Sequence, residues 1–254
     1  MTRVDLEGAF TSLPNEITLL TNLKKLQIVA PIRTFPEGFE QLTKLDSLSI
    51  CTRGEIPSQI GNMTNLVALD IGHNYLDQLP DLRRLTNLTD LASASNNLTE
   101  VPQYIFNTLT NLESLELTLN RLKEIPPSIT KLRNLTSLRM AYNALTDLPD
   151  METMTNLEVI SMGGNPFQKM PINLLKLTGL ERLDISKAGL RIIPSELTQL
   201  SKLLIFACFQ NNIEVFLPRI RSSTRTMIMK ASKFPPPRTG YEEFLQVNED
   251  LYCT

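Results

Sequence analysis

Apolar residues recur along this chain at a spacing that matches neither a single helix nor a long strand. Within residues 109–126, LTNLESLELTLNRLKEIP, the gaps between apolar positions are 3, 2, 5 and 3 residues; these positions are Leu112, Leu115, Leu117, Leu122 and Ile125. A helix would repeat near 3.6 residues and a strand every second residue. The alternation at Leu115 and Leu117 predicts a short strand with two inward side chains, and Glu116 between them points outward. Asn120 then turns the chain, because its amide can bond to buried main-chain groups.

The same pattern returns through most of the chain, and a proline after an apolar residue marks each return. Successive marks are 21 to 24 residues apart; they are Pro14, Pro36, Pro57, Pro80, Pro102, Pro126, Pro149, Pro171 and Pro194. A unit of this length cannot bury its own apolar face, so neighbouring units stack around one continuous core. The inward pairs from Val4 and Leu6 to Phe206 and Cys208 predict ten parallel strands. We therefore assign residues 1–216 to a solenoid of about nine to ten coils, and residues 217–254 to a degenerate last repeat and C-terminal cap.

The coils predict an α/β solenoid with a short-stranded parallel sheet on one face and irregular or short helical segments on the other. Stretches such as PPSITKLRNL are too short to be stable helices by themselves. The units PPSITKLRNLTSLRMAYNAL and PSQIGNMTNLVALDIGHNYL closely resemble the intracellular, Ras-group style of leucine-rich repeat, LPxxIxxLxNLxxLxLxxNxL. This resemblance implies a horseshoe whose concave sheet binds other proteins. The chain departs from the pattern at Ala188, where the turn asparagine is missing, and near Pro31 and the segment CTRG in the early coils.

Charge and cysteine content narrow the classes of partner and the compartment. A formal charge of −2 and a pI near 5.6 give no basic footprint, so nucleic acid is a poor partner. Asp5 and Glu7 lie where a signal peptide requires an apolar segment, and no apolar run is long enough to span a membrane. Cys51, Cys208 and Cys253 are scattered, which favours reduced thiols. We therefore expect a cytoplasmic protein without a membrane partner.

Candidate chemistry is sparse. His73 is the only histidine, so neither a histidine-rich metal site nor a Ser-His-Asp relay can be assembled with a spare ligand. Phosphate-binding loops, GxGxxG, GxSxG and HExxH are absent from the sequence. The carboxylates Asp70, Asp90 and Glu116 fall on separate strands of an open surface, and exposed carboxylates are poor acid–base catalysts. We therefore expect no enzymatic activity, no metal and no cofactor.

The outward residues of successive strands form columns that predict a partner-binding surface. Strands about 4.8 Å apart place equivalent residues of successive coils side by side. Small residues such as Ala92 and Gly163 leave a shallow floor, and large side chains stand above it, where aromatic and arginine anchors commonly dominate interfaces. We predict that a protein partner contacts this concave face; the candidate residues are Asp70, His73, Tyr75, Asp90, Glu116, Leu119, Arg139, Tyr142, Arg182, Lys187 and Phe209.

Two other functions remain open alongside a scaffold or protein-interaction module. The segment GEIPSQIGNMTNL, residues 54–66, resembles plant extracellular repeats and would fit an extracellular ligand-recognition ectodomain. Alternatively, the chain is the sensor arm of a larger signalling enzyme whose catalytic part lies outside these 254 residues.

Three local expectations follow from the sequence. The first three turns are shorter than the later ones, so we expect irregular turns in the N-terminal third. The strand at Val4 and Leu6 leaves an open sheet edge, which would pair with a second copy or with residues of a longer chain. The run LLIFACF, residues 203–209, has apolar outward positions and should be covered, either by the C-terminal tail or by a partner.

Overall fold

The computed structural model of the chain describes residues 1–52, 54–216 and 226–228. Its strands are β1 (Arg3–Glu7), β2 (Lys25–Val29), β3 (Ser47–Cys51), β4 (Ala68–Asp70), β5 (Asp90–Ala92), β6 (Ser114–Glu116), β7 (Ser137–Arg139), β8 (Val159–Ser161), β9 (Arg182–Asp184), β10 (Ile192–Ile193), β11 (Ile205–Ala207), β12 (Val215–Phe216) and β13 (Thr226–Ile228). Within the described residues, eleven strands form one parallel sheet in chain order, whereas β10 and β12 pair separately. The predicted α/β solenoid with a short-stranded parallel sheet is confirmed, and each of the ten predicted strands is present.

The core is a continuous column of side chains from equivalent strand positions. Leu69 of β4 lies opposite Leu48 of β3 and Leu91 of β5, and each of the three is 1% exposed. The parallel register places every inward residue directly beside its counterpart in the next coil. Each coil therefore buries its apolar residues against its neighbours, as a solenoid requires.

Short helices connect the strands on the side opposite the sheet, as predicted. They are the 3-10 helices Asn15–Leu19, Phe39–Gln41, Ser58–Asn62, Pro127–Lys131, Ile172–Lys176 and Ser195–Gln199, and the α-helix α1 (Gln103–Thr108). Most follow the proline of a repeat, such as Pro14 or Pro171, because the fixed φ of proline directs the chain into the first turn. An apolar residue follows each helix: Met63 follows Ser58–Asn62, and a leucine follows each of the others. In the part of the chain that the structure describes, no helix is long and apolar enough to cross a membrane.

Buried asparagines link the turns of successive coils. Asn143 shows the pattern: its Nδ2 donates to the Met140 carbonyl at 3.1 Å and to the Leu117 carbonyl of the preceding coil at 2.9 Å. Its Oδ1 accepts a 3.0 Å hydrogen bond from the Leu122 N–H. The other predicted turn asparagines, all 8% exposed or less, are Asn74, Asn96, Asn120, Asn165 and Asn211. This asparagine ladder satisfies main-chain groups that have no access to water.

The ladder has the interruptions that the sequence predicts. At the fully buried Ala188 no side-chain amide is present, so the Phe167 N–H bonds at 2.9 Å to the Asn165 carbonyl of its own coil. In the third coil Thr52 takes the ladder position, and its N–H donates at 2.7 Å to Asn74 Oδ1. Small residues at these positions keep the turns buried but remove links between coils.

The N-terminal turns differ from the later ones, which confirms the predicted irregularity. Strands β1 to β3 contain five residues each, whereas β4 to β9 contain three. From β4 onward the residue before the ladder position adopts a left-handed backbone; these residues are His73, Ser95, Leu119, Tyr142, Gly164, Lys187 and Gln210. The later coils therefore share one tight turn, whereas among the described residues of the first three coils no residue other than glycine has a positive φ angle.

The C-terminal run 203–209 is largely buried. Ala207 is 3% exposed and Phe209 is 8% exposed, and β13 pairs with β11 beside them. Burial of this run agrees with the prediction that it is covered. The tail residues Tyr241, Phe244 and Leu245, one of the two predicted coverings, lie outside the described residues, as does most of the predicted cap.

Candidate partner-binding face

The outward surface of the eleven-stranded sheet, called here the sheet face, carries the predicted site residues. A depression of about 380 Å³ lies across strands β3 to β7 and brings together five of them; these are Asp70, His73, Asp90, Glu116 and Arg139. Tyr142 and Lys187 form a second group, farther along the sheet. Leu119 lies in the coil next to that of Tyr142, since its N–H donates to the Ala141 carbonyl at 2.9 Å. Tyr75 lines a neighbouring depression together with His73, and Arg182 begins β9.

Two carboxylates of the depression are more buried than the sequence indicated. Asp70 and Glu116 are half-buried, whereas Asp90 is exposed as expected. Burial raises the pKa of Asp70, although hydrogen bonds from the Gly72 N–H and the Ser49 hydroxyl oppose the shift. Burial likewise raises the pKa of Glu116 against a hydrogen bond from Thr118 and the charge of Arg139. The expectation of fully open carboxylates is therefore wrong for these two, because the neighbouring coils cover them.

A shared backbone contact fixes these side chains at the strand ends. Asp70 Oδ1 accepts a hydrogen bond from the Gly72 N–H at 2.9 Å, and Glu116 Oε1 accepts one from the Thr118 N–H at 2.8 Å. Asp184 repeats this contact with the Ser186 N–H at 2.9 Å. The contact follows from the strand position alone. The sequence columns could therefore have identified Asp184, which was missing from the candidate list.

Tyr142 and Lys187 meet although 45 residues separate them. Lys187 Nζ donates to Tyr142 Oη at 2.8 Å and lies 5.0 Å from the centroid of the tyrosine ring. The intervening coil has Gly164 at the equivalent position, with φ 74°, and a Cβ there would lie 2.6 Å from Tyr142 Cδ1. Glycine thus permits both the left-handed backbone and the passage of the tyrosine ring.

Three large side chains stand exposed on the left-handed turns. Tyr75, Leu119 and Tyr142 are 63%, 50% and 41% exposed, and their φ angles are 58°, 57° and 52°. Phe209 is the exception among the predicted large groups. It is buried in the coil of β11, so the expectation that it stands exposed is wrong.

The charge of the buried carboxylates gives a testable pH dependence. The folded-state pKa of Asp184 is raised above its ordinary value of 3.8 by burial. The folded protein therefore binds more protons than the unfolded chain above about pH 4, and this carboxyl lowers stability as pH rises through its folded-state pKa. We expect Asp184→Asn to flatten the fall in stability above pH 4, as measured by urea unfolding across pH. Each unit by which a folded-state pKa exceeds the unfolded-state pKa corresponds to about 1.4 kcal/mol of stability lost on ionisation.

A control for this experiment is Asp90→Asn, which removes an exposed carboxylate from the same sheet. The comparison separates the effect of burial from that of losing one negative charge. An unchanged slope in the Asp184→Asn protein would contradict the assignment of this carboxyl as a buried, destabilising charge.

A metal-ligand cluster or a reactive thiol among the described residues would be another kind of candidate site. Among the described residues, no three histidine, cysteine, aspartate or glutamate side chains lie close enough together to hold a metal ion. Cys51 and Cys208 are buried, and burial raises the pKa of Cys208 to about 12. A thiol with this pKa is almost entirely protonated near neutral pH.

Comparison with known proteins supports the fold. A leucine-rich repeat family model matches residues 86–145. The chain is 35% identical over 132 residues to the probable inactive serine/threonine-protein kinase roco10 of Dictyostelium discoideum, a match that covers 48% of this chain and 5% of that protein. Across eight curated relatives, the matched stretches cover only 4% to 20% of the relative's length.

Solved structures give the same result over more of the chain. A leucine-rich repeat protein of Leptospira interrogans has a TM-score of 0.63 and 28% identity, covering 84% of this chain and 67% of that one. A TDR receptor structure has a TM-score of 0.68 and 26% identity, covering 82% of this chain and 39% of that one. The repeated coils, the asparagine ladder and these similarities together identify the chain as a leucine-rich repeat solenoid.

Proposed function

We propose that the chain is a protein-interaction module, or scaffold, of the intracellular Ras-group style that binds a protein partner through its sheet face and has no catalytic activity of its own. The observation that carries this proposal is the placement of Leu119 and Tyr142. A left-handed backbone costs a residue other than glycine about 1 kcal/mol, and asparagine tolerates it better than leucine or tyrosine. Large side chains that stay exposed at such positions cost backbone free energy and bury little apolar surface in the fold, and they are suited to contact a partner.

The stability of the solenoid and the binding of a partner can be separated at these positions. We expect the double variant Leu119→Asn, Tyr142→Asn to fold with nearly unchanged stability, because the better fit of asparagine to the left-handed backbone offsets the loss of the exposed Tyr142–Lys187 contact. The same variant should lose its partner. Affinity purification from the native cell with quantitative mass spectrometry would compare this bait with the wild-type chain.

The matched control is Ile172→Asn, which changes an apolar side chain, 71% exposed, in a connecting helix away from the sheet. Proteins recovered by the wild type and this control but not by the sheet-face variant would support the proposal. Identical recovery by all three baits, or recovery of no specific protein by any of them, would refute it.

A cytoplasmic location is part of the proposal, and the scattered spacing of the cysteines in the sequence supports it. The TDR receptor similarity supports the alternative of an extracellular recognition ectodomain, and the roco10 similarity supports that of the sensor arm of a larger signalling enzyme. Fluorescence microscopy and fractionation of the endogenous protein, with its full length measured by immunoblot, would distinguish the three. A secreted product would favour the first alternative, and a much longer product the second.

Self-association through the N-terminal edge is a further prediction. β1 is the outermost strand of the sheet, and its inward residues Val4 and Leu6 are only half-buried, unlike their counterparts in β2. A strand edge of this kind can pair with another chain. We expect a concentration-dependent increase in mass by analytical ultracentrifugation, and Leu6→Lys should reduce it. A monomer at every concentration would contradict this prediction.

A further inference from the structure

The depression on the sheet face owes its shape to small side chains on adjacent strands. Ala68, Ala92 and Ala94 line it, together with Gly72. A Cβ at Gly72 would lie 3.1 Å from the Ala94 carbonyl oxygen and 3.2 Å from Asp70 Oδ1. A larger residue would therefore displace the aspartate. The depression has a volume of about 380 Å³, which lies within the range of pockets that bind small ligands.

Two carboxylates stand on opposite sides of this floor. Asp70 and Glu116 are both paired in register with Ala92, so their backbones lie two strand spacings apart, roughly 10 Å. Because alanine is short, the space between the two carboxylates is not filled by the intervening strand. The hydrogen bonds from Gly72 and Thr118 hold one oxygen of each carboxylate in place. A cation between them would meet preorganised acceptors rather than mobile side chains.

The charge of the lining is negative. Three acidic residues and one arginine line the depression; they are Asp70, Asp90, Glu116 and Arg139. Burial raises the pKa of Asp70 and Glu116 because their charged forms are poorly solvated. A positive group in the depression would replace the lost solvation, and such an interaction is stronger in a partly dry site than on an open surface.

A hydroxyl in the same lining provides independent support for a hydrogen-bonding ligand. Ser137 Oγ is buried and has no hydrogen-bond partner among the described residues. A buried polar atom without a partner is costly, so a donor that reaches it would gain free energy. The lining therefore offers two carboxylates and a hydroxyl, all of which can accept hydrogen bonds.

We propose that this depression receives an arginine side chain of the protein partner. The inference rests on the proposed function and names the chemistry by which the partner is recognised. A guanidinium carries five N–H donors in a planar fork and is less strongly hydrated than an ammonium, so it can bond to several acceptors on the walls at once. Lysine presents a compact charge that is more costly to remove from water, and it would match the depression less well.

The test uses peptide probes and methyl NMR of the full chain. Acetyl-Gly-Arg-Gly-amide would be titrated while the methyl signals of Ala68, Ala92 and Ala94 are followed. The control peptide has citrulline in place of arginine, which keeps the shape but removes the charge. We expect saturable shifts of the three methyl signals with the arginine peptide and at least about tenfold weaker binding of the citrulline peptide.

Matched variants localise the binding. Asp70→Asn with Glu116→Gln should weaken binding of the arginine peptide by about tenfold or more. Asp184→Asn removes a carboxylate from the equivalent strand position outside the depression and should leave binding unchanged. Urea unfolding would verify that all variants are folded. Equal binding of both peptides, undiminished binding to the double variant, or shifts confined to other parts of the sheet would each overturn the proposal.

The outcome is also distinguishable from failure of the proposed function. If the Asp70→Asn, Glu116→Gln bait still captures the proteins that the Leu119→Asn, Tyr142→Asn bait loses, the sheet face binds a partner without an arginine in the depression. If no bait captures a specific protein, the proposed function itself fails, whatever the peptide titration shows.

Discussion

Replacing Asn143 by alanine is expected to lower the free energy of unfolding by roughly 2 to 3 kcal/mol. The carbonyls of Leu117 and Met140 would each keep another asparagine partner, since Asn120 bonds to the first at 3.1 Å and Asn165 to the second at 2.9 Å. The Leu122 N–H would instead lose its acceptor in a fully buried site. The missing side chain also leaves a void between two coils, and the two costs add.

Urea unfolding of Asn143→Ala beside Asn134→Ala would measure this effect. Asn134 lies earlier in the same coil but is exposed, and its amide makes a 3.3 Å bond to the Thr110 carbonyl. We expect the control to lose less than about 1 kcal/mol. Equal losses for the two variants would show that burial of the amide does not matter, contrary to our account of the ladder.

Replacing Gly61 by alanine is expected to cost about 1 to 3 kcal/mol through overpacking. An added Cβ would overlap the carbonyl oxygen of Asp81 in the next coil, and this obstacle is backbone rather than a flexible side chain. Gly61 itself is buried. The turn that contains Asp81 must therefore move, and the move would disturb the packing between the two coils.

The control for Gly61→Ala is Gly54→Ala in the same region of the solenoid. A Cβ at Gly54 would have its nearest neighbour, Thr52 Oγ1, at 3.8 Å, an ordinary contact. Both substitutions restrict the unfolded chain alike, so the difference between their denaturation midpoints isolates the clash. If both variants were equally stable, the result would contradict the close contact between Gly61 and the Asp81 carbonyl that the structure shows.

Most of the fold could be predicted from the sequence, because a repeat of 21 to 24 residues constrains it many times over. Leu115 and Leu117 fix which strand face is inward, and the turn asparagines fix where each coil bends. The interruptions at Ala188 and in the early coils were also visible as departures from the repeat. The same register also predicted which outward residues of neighbouring strands lie side by side on the sheet.

The candidate site was less predictable, because it depends on contacts between coils rather than on the pattern within one. Burial of Asp70 and Glu116 requires knowledge of how adjacent strands cover them. The meeting of Tyr142 with Lys187 depends on the glycine between them and on the direction in which the ring leans. From the sequence, Phe209 could be either an exposed anchor or part of a covered run, and the structure shows that it is buried.

The missing asparagine at Ala188 has a consequence for cooperativity. The coils of β8 and β9 are joined by backbone bonds, such as the 2.8 Å bond from the Gly164 N–H to the Ser186 carbonyl, but by no ladder amide. In a linear array each coil is stabilised mainly by its neighbours, so the weakest junction separates two folding units. The coils from β9 onward should thus open without the rest, and native-state hydrogen exchange would show a step in protection between β8 and β9. The C-terminal end of the sheet could in this way release and re-form while the depression and its carboxylates remain folded.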